Sequence, residues 1–160
     1  MYKWGTAAVV MLVATACATT PKASVSETAT ARADEIMEAA TSRMFTVSVN
    51  TANTRRGRTV PVTSDFRLRV CGDSVFSYLP YFGRAYSVQH GGGKGLNFDS
   101  RVADYTVRAV DKGTVRIEFR TRTDEDVYRY RIEVGGNGSA TIYVRAQQRD
   151  DISFDGDFAR

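Results

Sequence analysis

The sequence predicts a mainly β protein, an antiparallel meander curled into a barrel or half-barrel and preceded by one N-terminal amphipathic helix. Three observations carry this reading. Apolar residues recur at three and four spacing only between Ser26 and Arg43. After Met44 the period falls to two and stays there. In the C-terminal half, three successive loops set registers in which every facing pair on one side is apolar.

The chain of 160 residues opens with Met1-Tyr2-Lys3, an apolar run from Trp4 to Val13, and Ala14-Thr15-Ala16-Cys17. Charge, apolar segment and small-residue cleavage site in that order make an export signal. Val13-Ala14-Thr15-Ala16-Cys17 fits a loose lipobox, and Ala14 and Ala16 also suit ordinary cleavage. A cysteine directly after the small pair favours lipidation of Cys17. The apolar run is shorter than the ~20 residues a spanning helix needs. The expected organisation is therefore a lipoprotein-type signal peptide over 1–16, a tether over 17–25 and one barrel-like domain with its helix over 26–160. The tether is small, polar and aperiodic, as suits a spacer from a membrane. No acidic run follows Cys17.

Loss of residues 1–16 removes one of 22 basic side chains and none of 18 acidic ones, leaving an excess of three. So mild an excess in an exported protein argues against nucleic-acid binding, even though arginine supplies 18 of the 22. With Cys17 acylated, Cys71 stands alone and the core stabilises itself without a disulfide. A Cys17–Cys71 bridge is the lesser alternative.

In the helix over Ser26 to Arg43, Ser26 can cap the N-terminus, and Ala33, Ile36, Met37, Ala40 and Met44 form the apolar face. Strands are expected over 45–49, 63–70, 75–79, 86–90, 104–110, 114–120, 127–134, 140–146 and 152–154. A turn rich in arginine spans Asn53 to Gly57, and Gly72-Asp73 is a hairpin signal. A three-residue loop Asp111-Lys112-Gly113 sets Ala109 opposite Val115, Val107 opposite Ile117 and Tyr105 opposite Phe119. The loop at 123–126 sets Phe119 opposite Tyr130, Ile117 opposite Ile132 and Val115 opposite Val134. The loop at 135–139 sets Val134 opposite Ala140, Ile132 opposite Ile142 and Tyr130 opposite Val144. On the other face Arg116 meets Glu133 and Glu118 meets Arg131, while Arg120 beside Arg129 and Arg108 beside Arg116 are like-charged.

Motifs that could carry chemistry are weak. His90 is the sole histidine and has no orienting partner in sequence. Gly91-Gly92-Gly93-Lys94-Gly95 lacks the Ser or Thr and the following helix of a phosphate loop, and reads as a mobile lip. Asp124-Glu125-Asp126 and Asp150-Asp151 read as solvated turns without the glycine-spaced pattern of a calcium loop. Ser77 and Ser87 have no visible base, and no acid pair is set across a cleft. No cofactor or metal is expected. What remains is Tyr78, Tyr81, Phe82, Tyr86 and Phe98 with Arg84 among them: rings with large apolar area and a cation suited to an anionic group. They either line a pocket for a hydrophobic or amphipathic ligand or plug the barrel end with their own bulk.

The run Ser77-Tyr78-Leu79-Pro80-Tyr81-Phe82-Gly83-Arg84-Ala85-Tyr86, followed by Gly95-Leu96-Asn97-Phe98 and a closing Ile152-Ser153-Phe154-Asp155-Gly156, resembles the signature of the domain of unknown function 4251 family. The resemblance runs from about Arg43 to Phe158. It implies lipoproteins of Gram-negative anaerobes, a lipocalin-like barrel and no assigned activity, so no catalytic residue is carried over. In such bacteria an acidic run after the acylated cysteine addresses the outer surface, so the resemblance implies, from the lack of one after Cys17, the periplasmic face of the outer membrane. The resulting expectation is a non-enzymatic lipoprotein anchored through Cys17, binding a hydrophobic ligand or an envelope partner with the 78–86 region. A purely structural or interaction module with a filled barrel is the alternative, and an enzyme comes third.

Overall fold

The computed structural model describes residues 25–83, 95–111 and 113–160. Helix α1 (Val25–Thr41) is followed by strands β1 (Met44–Thr54), β2 (Thr59–Pro61), β3 (Arg67–Cys71), β4 (Ser74–Leu79), β5 (Leu96–Asp111), β6 (Thr114–Arg122), β7 (Val127–Gly135), β8 (Ser139–Ala146) and β9 (Ile152–Ala159). The strands pair antiparallel in the order β1-β3-β4-β5-β6-β7-β8-β9, and β9 pairs back onto β1, closing an eight-stranded barrel with β2 as an extra strand. Closure removes the unpaired edges that an open meander of this length would expose.

The helix begins one residue before Ser26 and ends two residues before Arg43. Arg43 adopts φ 55°, a left-handed residue just past the last turn, and its N–H reaches the Ala40 carbonyl at 3.1 Å. This changes the fate of Met44: it opens β1 and stands 51% exposed instead of extending the helix's apolar face. The buried face of α1 is Ile36, Ala39 and Ala40. Tyr105 donates its hydroxyl hydrogen to the same Ala40 carbonyl, a second bond to a group in the helix's last turn. The helix lies over the barrel end that also holds Arg160, whose guanidinium meets Glu38 at 3.1 Å.

Eight of the nine apolar pairings expected for the meander occur in the stated register. The exception is Tyr105 opposite Phe119. Between Ala103 and Thr106 the register slips by one, and Asp104 takes φ 51°, so Asp104 and Tyr105 together face Phe119. The inward phase of β5 accordingly runs through Leu96, Phe98, Ser100 and Val102, then switches to Tyr105 and Val107. The first half of β5 pairs with β4 and the second with β6, and the bulge bends the strand just past that changeover. The strand is thus far longer than 104–110. A second irregularity, at Ala109/Asp111, pairs Asp111 with Thr114 and shortens the expected three-residue loop.

β1 carries the same device. Its buried residues run Phe45, Val47 and Val49, then Ala52, with a register slip against β9 between Val49 and Thr51. The length of β1 lets β3 and β2 occupy one of its edges in succession, β3 against Met44–Ser48 and β2 against 51–53. Residues 63–66, expected to begin the strand, form the crossing between β2 and β3 instead. Arg116–Glu133 (2.8 Å) and Arg131–Glu118 (3.5 Å) join the outer face as expected, and Arg108 is relieved of Arg116 by Glu118 at 2.9 Å. Such exposed pairs contribute a few tenths of a kcal/mol each. The expected strand at 86–90 and the glycine lip at 91–94 lie outside the described residues.

The inward side chains leave a filled interior along β6, β7 and β8. Ile117, Ile132, Ile142 and Phe154 are fully buried. Phe119 stacks on Tyr130 at 4.9 Å and on Tyr105 at 6.2 Å, and Phe98 stacks on Tyr128 at 4.9 Å. These stacked rings pack into the barrel core.

Candidate functional site at the barrel rim

Antiparallel pairing gathers four loops at the end opposite α1: 55–58, 80–83, 123–126 and 147–151. The last two are tied together by a buried ion cluster. Asp126, whose side chain is fully buried, accepts hydrogen bonds from the backbone N–H groups of Val127 (2.7 Å), Gln147 (2.9 Å) and Gln148 (3.1 Å). Arg149, buried beside it, pairs with Glu125 and lies 3.9 Å from Asp126. The acidic turn at 124–126 is therefore no solvated run. Its third member holds two loops in one geometry, because a buried carboxylate is tolerated only when its lone pairs are filled.

Arg149 also lies over the ring of Tyr81 at 5.6 Å, and the Tyr81 hydroxyl donates to the Asp150 carbonyl at 3.1 Å. A Cβ at Gly83 would overlap the Tyr81 ring, so glycine there lets the ring lie flat on the loop. Tyr81 thus belongs to the plug. Phe98, stacked on Tyr128, is packed against the core as well. Tyr78 differs: it stands 50% exposed on the outer wall, stacked on Phe66 at 5.2 Å. Arg69 lies over Phe76 at 4.7 Å on the same wall. Phe82 stands 48% exposed at the rim. The candidate residues are therefore divided between wall, plug and rim. Arg84, Tyr86 and His90, like Cys17, lie outside the described residues.

Beside Phe82 is a groove of about 370 Å³ lined by Thr54, Arg55, Arg58, Val60, Gly83 and Asp150, with Arg56 on the same turn. Its basic side comes from the turn between β1 and β2, which is held rigid by the Thr54 N–H to Arg58 carbonyl bond (2.9 Å), the Gly57 N–H to Thr54 carbonyl bond (2.9 Å) and the Thr54 hydroxyl to Arg58 carbonyl bond (3.2 Å). Gly57 takes φ 75° at its tip. The sequence signal for this wall was three arginines around one glycine, which reads as a turn and not as a site.

Two tyrosines below the rim are held neutral. Burial pushes Tyr128 up to about 12, with Arg149 opposing and Asp126 and Glu125 adding to the rise. Burial also raises Tyr130, whose hydroxyl meets Ser77 Oγ at 3.3 Å, while Ser77 donates to the Leu96 carbonyl at 2.6 Å. Ser77 is thereby engaged in the wall. No group of His, Cys, Asp and Glu able to hold a metal occurs among the described residues. No helix among them is long and apolar enough to cross a membrane.

Fold and rim define a small closed antiparallel β-barrel, capped at one end by a helix and plugged at the other by its own loops. The family model described as "Domain of unknown function (DUF4251)" matches residues 26–158, and the chain belongs to that family. A crystal structure of a DUF4251 family protein from Bacteroides eggerthii is similar, with a TM-score of 0.61 and 17% identity, covering 81% of this chain and 87% of the other. That likeness establishes the shared barrel fold. No curated protein matches the chain.

Proposed function

We propose that this chain is a non-enzymatic lipoprotein of the cell envelope, held on the periplasmic face of the outer membrane through acylated Cys17, and that its barrel binds on the outside of its rim. The observation that carries the binding half is the division among the aromatic residues. The inward rings stack on one another, whereas Phe82 stands half exposed beside a groove. A barrel filled by its own side chains has its remaining recognition surface on the rim and wall. The anchor half rests on the order of charge, apolar run, small residues and cysteine in 1–17. An acylated chain would need a second contact for stable anchoring if only one fatty chain were present.

Two measurements test the reading. Intact mass of the full chain extracted from membranes should exceed the mass of a Cys17-initiated chain by the added lipid, and Cys17→Ser should move the protein to the soluble periplasmic fraction. An unmodified mass would end the anchor. Native mass spectrometry of the exported Cys17→Ser chain should show a bound species, ligand or envelope protein, that Phe82→Ala removes. A bare mass under gentle conditions, from cells and envelope extracts alike, would leave the barrel as a structural module.

A further inference from the structure

Of the rim surfaces, the groove beside Phe82 has the most definite chemistry. Arg55 is turned to Asp150 at 3.6 Å. Arg56 and Arg58 stand exposed with no acidic partner among the described residues. Two uncompensated guanidinium groups on a turn fixed by its own hydrogen bonds, facing Val60 and the exposed ring of Phe82, make an oxyanion site with an apolar wall. Guanidinium is the side chain best shaped to hold carboxylate or phosphate, and a rigid turn lessens the entropy lost on binding. The volume of about 370 Å³ lies within the range of small-molecule sites.

Resting on the rim-binding reading above, we infer that this groove binds an anionic amphiphile: a carboxylate or phosphate head group held by Arg56 and Arg58, with its apolar body laid along Phe82 and Val60. Charge complementarity selects the head, and the half-exposed ring selects the body. A neutral lipid would leave both cations unmatched. A bare anion would leave Phe82 in water. Because α1 covers the opposite end of the barrel, the groove opens away from the helix that leads toward Cys17.

The test is calorimetric titration of the exported full chain carrying Cys17→Ser with dodecyl phosphate below its micellar concentration. Saturable one-to-one binding is expected. It should weaken about tenfold or more in Arg56→Gln/Arg58→Gln, and roughly threefold or more in Phe82→Ala. It should also weaken as salt rises, since the cations are exposed. Melting temperatures of all variants should match the parent, because the replaced side chains carry no acid partner or core contact among the described residues. Dodecyl maltoside should bind at least about tenfold more weakly, and inorganic phosphate likewise. Dodecanoate is the second arm: whichever head binds tighter identifies the source, and either supports the site.

No saturable binding of either amphiphile would overturn the inference, as would binding indifferent to the arginine changes. Equal affinity for inorganic phosphate would overturn the amphiphile. These failures are separable from failure of the anchor, which is read by mass at Cys17. They are also separable from failure of rim binding, since a native adduct lost in Phe82→Ala but unresponsive to the probes would sink only the ligand class.

Discussion

Arg149 and Asp126 lie 3.9 Å apart with side chains 6% and 0% exposed, one from the loop before β9 and the other from the loop before β7. Neither charge could be buried alone. Asp126 has its remaining capacity filled by three backbone N–H groups, and Arg149 has Glu125 as its closer partner. The pair therefore acts as a clamp on the rim.

Removing one partner should be far more damaging than the sum of exposed ion pairs elsewhere on the barrel. Asp126→Ala would strand three N–H groups and leave the buried Arg149 guanidinium with Glu125 as its one remaining carboxylate, at a cost of about 3–5 kcal/mol. In a domain of this size that corresponds to a fall of roughly 10 °C in melting temperature. Thermal unfolding by circular dichroism reads it. A loss below about 1 kcal/mol would mean that the loops are held by other contacts.

Tyr81 and Phe82 are neighbours with opposite roles, and single substitutions should separate them. Tyr81→Ala removes a ring packed under Arg149 and a hydroxyl bonded to the Asp150 carbonyl, and should cost about 2–3 kcal/mol. Phe82→Ala, at a half-exposed position, should stay within about 0.5 kcal/mol of the parent. Denaturant midpoints decide. Equal losses would place Phe82 in the plug and remove it as a binding residue.

That contrast also marks where the sequence was legible. Pairings such as Ile117 with Ile132 and Ile142 could be read because short loops fix register and one face is buried, so a one-residue slip would expose every apolar side chain. The bulges could not be read. One extra residue at 104–105 moves the inward phase from Val102 to Tyr105, and a period-two scan breaks there. The early half of β5, with Asn97, Asp99 and Arg101 outward and Ser100 inward, then looks like loop. At the site, the rings of the 78–82 stretch were visible as a composition. Whether each ring is plug or surface is decided by Arg149 and Asp150, nearly seventy residues away. Separation along the chain, here only the length of a hairpin, likewise hid the burial of Asp126, since an acid triplet in a turn shows nothing of the arginine that will cover its last member.

Closure of the barrel rests on a close approach of β9 to β1. At Gly156, paired with Val49, a Cβ would overlap the Ser48 carbonyl oxygen at the β1 bulge. Gly156→Val should therefore force the two strands apart and cost at least about 2 kcal/mol. Amide exchange should show the loss concentrated in β1 and β9. Wild-type protection in both strands would show that the bulge can absorb a side chain, and that the glycine is not required for closure.

Alkaline pH should unfold the barrel through its buried tyrosines. Burial raises Tyr105 and Tyr128 to about 12 from an ordinary 10.0, and raises Tyr130 as well. The folded state therefore resists losing these protons, while the unfolded chain gives them up near pH 10. Stability from this source is fully present below about pH 10 and is lost as pH rises toward 12, because ionisation then favours the unfolded chain. Denaturant midpoints should accordingly fall between pH 9 and pH 11.5. Tyr130→Phe should flatten the fall, since it removes the most buried of the three hydroxyls at the price of one hydrogen bond to Ser77. A midpoint constant over that range, in a protein still folded at pH 11.5, would mean that these rings ionise in place, and that the interior column is open to water.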